Sequence, residues 1–119
     1  MRAKRVLVVD DQQELREILE EMLSQEGCEV YTARDGREAV QLASSIQPQL
    51  VFLDVCMPRL NGWETYLALH EMLPDVEVVM MTGYEVEKAA AKAQALGLGF
   101  LAKPFDLDRV RRLLDAGTE

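Results

Sequence analysis

The run Leu50-Val51-Phe52-Leu53 ends on Asp54, four consecutive apolar residues followed by a carboxylate. A strand with one wet face alternates apolar and polar residues, so an unbroken run of this length belongs to a strand covered on both faces. Three more runs share the plan. Val6-Leu7-Val8-Val9 ends on Asp10-Asp11, Val76 to Met81 on Thr82-Gly83, and Phe100-Leu101-Ala102 on Lys103-Pro104. Cys28 to Thr32 reads as the remaining strand, and nothing chemically distinctive ends it.

Between these runs the apolar period lengthens to that of a helix. Leu15, Ile18, Leu19, Met22 and Leu23 form one stripe, closed at Gly27, where a left-handed C-cap is expected. Asp35-Gly36 opens a helix carrying Ala39, Val40, Ala43 and Ile46, with Pro48 beyond its end. Asn61-Gly62 leads into a helix from about Trp63 to Leu73, and an alanine-rich helix from Val86 to Leu96 stops at Gly97. Asp106 caps a last helix with Leu107, Val110, Leu113 and Leu114 on one stripe.

Strand and helix alternate five times, which predicts an α/β fold with a parallel sheet between two helical layers. Units of about 24 residues leave only tight right-handed crossovers. Five units are too few for an eight-stranded barrel of ~250 residues. A doubly wound (βα)5 sandwich of the flavodoxin type remains, with strand order 2-1-3-4-5. The 119 residues are read as a single domain, with a core over about 4–114 and no effector domain attached.

Lysine and arginine total 13 against 21 acids, a net charge of −8. Such a chain repels the phosphate backbone of nucleic acids and an anionic membrane surface. Cys28 and Cys56 match no metal-ligand spacing and cannot staple a secreted scaffold, so a reducing cytoplasm is expected. The basic start Met1-Arg2-Ala3-Lys4-Arg5 precedes only four apolar residues, too few for a signal peptide.

In open α/β sheets, ligands bind beyond the carboxyl ends of the strands, where strand order reverses. Order 2-1-3-4-5 brings the ends of strands 1, 3, 4 and 5 together: Asp10-Asp11, Asp54, Thr82 and Lys103. Carboxylates gathered in a small volume repel unless something compensates them. A hard divalent cation does so, with Asp11 and Asp54 as direct ligands and Asp10 holding a metal-bound water. A lysine and a hydroxyl beside the same carboxylate indicate phosphoryl chemistry, in which charge on the peripheral oxygens must be neutralised. Asp54 is then the nucleophile and forms an acyl phosphate. A lysine followed by proline at an apolar strand end also allows a cis bond at Lys103-Pro104.

Val8-Val9-Asp10-Asp11, Asp54 with Met57-Pro58 and Gly62, Thr82-Gly83 and Lys103-Pro104-Phe105 together resemble the receiver domain of two-component response regulators, in its stand-alone, chemotaxis-regulator-like form. The resemblance runs from about Lys4 to Leu114. It implies a phosphoryl acceptor at Asp54, supplied by a sensor histidine kinase or a histidine phosphotransfer protein with Mg2+ or Mn2+. It also implies metal ligation by Asp10, Asp11, Asp54 and the backbone carbonyl of Cys56. Thr82 and Phe100 become the switch pair, and the family's lysine falls on Lys103. A downstream protein would read the face formed by helix 4, strand 5 and helix 5, with the chain a monomer that pairs on phosphorylation. Such a domain is a signalling switch with slow self-dephosphorylation rather than an enzyme in the ordinary sense.

Three rivals stand beside this reading. A haloacid-dehalogenase-like Mg2+ phosphatase also uses a strand-end aspartate, but its general acid would stand at Cys56. A flavodoxin-like cofactor binder needs hydroxyls and backbone amides in the phosphate loop after its first strand, where Asp10-Asp11 would repel the phosphate. A degenerate receiver, acting only as an interaction module, would lack chemical positions that are all filled here. His70, the only histidine, is read as solvated on its helix, with no catalytic partner.

Overall fold

The computed structural model of the chain describes residues 4–58 and 60–116. The basic start Met1-Arg2-Ala3 and the end Gly117-Thr118-Glu119 lie outside the described residues, as does Arg59. The elements alternate as β1 (Arg5–Val9), α1 (Gln13–Gln25), β2 (Glu29–Ala33), α2 (Gly36–Ile46), β3 (Leu50–Asp54), α3 (Gly62–Met72), β4 (Glu77–Thr82), α4 (Val86–Ala95), β5 (Gly99–Ala102) and α5 (Leu107–Ala116). All neighbouring strands pair in parallel, in the order β2-β1-β3-β4-β5.

The pleat sorts the strand residues between two cores. Leu7, Val9, Val51, Leu53, Val78 and Met80 pack with Ala39 and Ala43 of α2, Tyr66 and Leu69 of α3, and Ala93 of α4. Val6, Val8, Leu50, Phe52, Val79, Met81 and Leu101 pack on the opposite face, with Leu19 and Leu23 of α1 and Val110 and Leu114 of α5. Three helices thus cover one face and two the other. Every residue of β3 is buried, as its unbroken apolar run requires.

The edge strand β2 departs from the expectation that all strands are covered. Glu29 is exposed and Val30, Tyr31 and Thr32 are half-buried, because one flank of this strand has no neighbour. The predicted punctuation is otherwise present within a residue or two. Gly27 and Gly97 have φ of 89° and 74°, the left-handed turn after α1 and α4. Asp35 accepts from the Glu38 amide at 2.8 Å, and Asp106 from the Arg109 amide at 3.0 Å. The Lys103-Pro104 bond is cis.

Candidate functional site

Four strand ends converge at one edge of the sheet, and the side chains there form a cleft of about 390 Å³. Asp11, Asp54, Cys56, Thr82, Tyr84 and Lys103 line it. Asp10 and Asp54 are held by their backbone surroundings. Asp10 is fully buried; its Oδ1 accepts the Gln12 amide at 2.9 Å, and its carbonyl accepts Arg16 at 2.6 Å. Asp54, 3% exposed, accepts the Cys56 amide at 3.3 Å.

Lys103 is the cation of the cleft. Its ammonium donates to Asp10 Oδ2 at 2.8 Å and lies 3.5 Å from Asp54 Oδ1. Three carboxylates face one ammonium, so the compensation is incomplete. Burial, and then the Asp10 charge, push Asp54 up to about 6 against the pull of Lys103 and the Cys56 amide. One oxygen from each of Asp10, Asp11 and Asp54 falls within 4.8 Å of the others. Clustered hard oxygen donors carrying uncompensated negative charge fit a divalent ion such as magnesium.

The pleat also divides the cleft. Asp54 continues the alternation of Leu50 and Phe52, and Lys103 that of Leu101, on the α1–α5 side. Thr82 continues the alternation of Val78 and Met80 on the α2–α4 side. Half-buried Phe100 packs in that second core, opposite Met80 in the ladder. The Thr82 hydroxyl accepts the Tyr84 amide at 3.0 Å and donates to the Tyr84 carbonyl at 3.2 Å. The Cys56 thiol stands 4.0 Å from it, at the outer wall.

All the residues picked from sequence are thus in or beside one cleft, Phe100 standing behind it in the core. Several residues that the sequence marks only as punctuation or motif, or not at all, support the site. Gly62 packs so tightly that a Cβ there would collide with the Asp54 carbonyl and stand 2.7 Å from Val55 Cα. Asn61 and Glu64 form a reciprocal capping box at the start of α3, a spacing of Asn and Glu that sequence can signal. Arg16, which secures the Asp10 carbonyl, left no signal of its own on a helix rich in charge.

Comparison with known proteins agrees with this geometry. The response regulator receiver domain family matches residues 6–115. Response regulator MprA of Mycolicibacterium vanbaalenii is 41% identical over 115 residues, covering 92% of this chain and 50% of its own length. The chain therefore spans half of that relative. Sporulation initiation phosphotransferase F of Bacillus subtilis is 32% identical, covering 93% of this chain and 90% of its own. The solved chemotaxis protein CheY4 of Vibrio cholerae superposes with a TM-score of 0.88 at 30% identity, over 96% of this chain and 98% of that one. With its βα order, its strand-end acids and lysine and this match along nearly its whole length, the chain belongs to the response regulator receiver domain family.

Proposed function

We propose that residues 4–114 act as one phosphorylation-dependent switch in which Asp54 is the acceptor. The observation that carries this reading is the Lys103 ammonium set between the Asp10 and Asp54 carboxylates in an open cleft. The donor is a sensor histidine kinase or a histidine phosphotransfer protein. An Asp54 carboxylate oxygen attacks phosphorus, the P–N bond to the donor imidazole breaks, and its electron pair leaves with the nitrogen. Lys103 then neutralises charge on the phosphoryl oxygens. Asp10, Asp11, Asp54 and the Cys56 carbonyl hold Mg2+ or Mn2+, which when bound supplies charge neutralisation for the incoming group.

Thr82 supplies the switching hydroxyl. Its present partners are the amide and carbonyl of Tyr84, so reaching a phosphoryl group on Asp54 means releasing them. Phe100 has no hydroxyl to satisfy and can repack within its apolar surroundings as the β4–α4 connection moves. The α4–β5–α5 face then changes for a downstream protein, a two-state shift biased by one charged group. The receiver is a signalling module whose only chemistry is on itself. Among the described residues no helix is long and apolar enough to cross a membrane. The receiver reading, not that absence, carries the proposal of a cytoplasmic monomer that pairs when phosphorylated.

Acetyl phosphate with magnesium tests the assignment. Mass spectrometry should find one phosphoryl group on the wild type and none on Asp54→Asn. Labelling that survives in Asp54→Asn overturns it.

A further inference from the structure

A second groove adjoins the Asp54 cleft on its α3–α4 side. Val55, Cys56 and Trp63 form one wall, and Tyr84, Lys88 and Lys92 the other. Cys56 and Tyr84 belong to both depressions. At about 230 Å³ the groove is smaller than the ~300–1,000 Å³ usual for small-molecule sites. It suits the seating of one anchoring side chain from a protein.

Its charge opposes that of the chain. Of the four lysines, Lys4 pairs with Glu77, and Lys103 with Asp10 and Asp54. Lys88 and Lys92 have no ion-pair partner among the described residues, and they stand one turn apart on the same side of α4. Glu85 is the single carboxylate among the lining residues. In a chain of net charge −8, this is a local cationic strip.

The strip is set among exposed apolar side chains. The Lys92 ammonium lies 4.5 Å from the centroid of the Trp63 ring. Tyr84 is 70% exposed, and Leu67, one turn along α3 from Trp63, is 62% exposed. Tryptophan and tyrosine are the residues on which binding energy concentrates at protein interfaces, while charges at the rim steer and orient the partner.

We propose that this groove docks an acidic segment of a partner protein, with one aliphatic or aromatic side chain against Trp63 and flanking carboxylates on Lys88 and Lys92. The occupant follows from charge complementarity, and the proposal does not rest on the phosphoryl chemistry of Asp54.

Trp63 is the only tryptophan, so its fluorescence reports on the groove directly. The test is selection from a phage-displayed library of random linear peptides against the intact chain, followed by titration of the selected peptides. Enriched peptides should carry several Asp or Glu residues around an apolar one and shift the Trp63 emission saturably. Their affinity should fall about tenfold or more on Lys88→Glu/Lys92→Glu, a change of exposed residues that keeps the fold, which circular dichroism checks. Peptides with their acids replaced by lysine should regain binding to that double variant. No enrichment overturns the proposal. So do enriched peptides without acids, affinity unchanged by the charge reversal, and binding that leaves Trp63 emission unaltered.

Discussion

The Lys103 ammonium reaches Asp10 Oδ2 at 2.8 Å across 93 positions of sequence, joining the end of β5 to the end of β1. The two strands are not neighbours in the sheet; β3 and β4 lie between them. The contact therefore spans the mouth of the cleft, and Asp54 lies under it, 3.5 Å from the same nitrogen.

Replacing Lys103 by methionine leaves buried Asp10 and Asp54 without their cation. Loss of one partner of a buried pair costs about 3–5 kcal/mol, and the 18% exposure of Lys103 places this case at or below the lower end. Urea denaturation of the metal-free chain should show that loss. Carboxyl NMR should find Asp54 titrating higher than in the wild type.

Asp54 also predicts a pH profile. Its folded value, about 6, lies above its ordinary 3.8, so the folded state holds this proton more tightly than the unfolded one. The stabilising effect of the proton is present below the ordinary value and is lost as pH rises through about 6. Asp54→Asn removes the penalty, so without divalent ions the variant should melt higher than the wild type at neutral pH. The gap should reach about 3 kcal/mol at most and close toward about pH 4. A gap independent of pH between those limits contradicts the assigned cause.

Gly62→Ala drives a Cβ into the Asp54 carbonyl and the Val55 backbone, neither of which is free to turn aside. Thermal unfolding should show a loss of about 1–3 kcal/mol. Acetyl phosphate labelling of Asp54 should slow as well, because the displaced atoms belong to the acceptor itself.

Magnesium should raise the melting temperature of the wild type in a concentration-dependent way, since a ligand that binds only the folded state stabilises it by mass action. Asp11→Asn removes an exposed member of the acid cluster and should weaken that response while leaving metal-free stability within about 0.5 kcal/mol. An undiminished response in the variant removes Asp11 from the ligand set.

The fold was legible because its signals are periodic. Leu50 to Leu53 and Val6 to Val9 are uninterrupted because helices cover both faces, and Leu15 to Leu23 keep a helical stripe because only one face is covered. Most shifts of boundary were of one residue, as where β2 begins at Glu29 rather than Cys28. The strand-end acids and Lys103 were legible for a related reason: each stands where an apolar run stops, at the carboxyl end of a strand. What sequence concealed was contact at a distance. Nothing local to Gly62 says that the Asp54 carbonyl fills the space of its missing side chain, and nothing local to Trp63 says that Lys92 stands over its ring.

The alternation that sends Asp54 and Lys103 to one side of the sheet and Thr82 to the other works as a counting device. Deleting a single residue between Leu101 and Lys103 would turn the ammonium toward the α2–α4 side and away from Asp10. Deleting Leu101 and Ala102 together would restore its side but shorten its reach. Chain length at these strand ends is therefore under tighter constraint than side-chain identity in the core, where one methylene more or less costs little beside the loss of that parity.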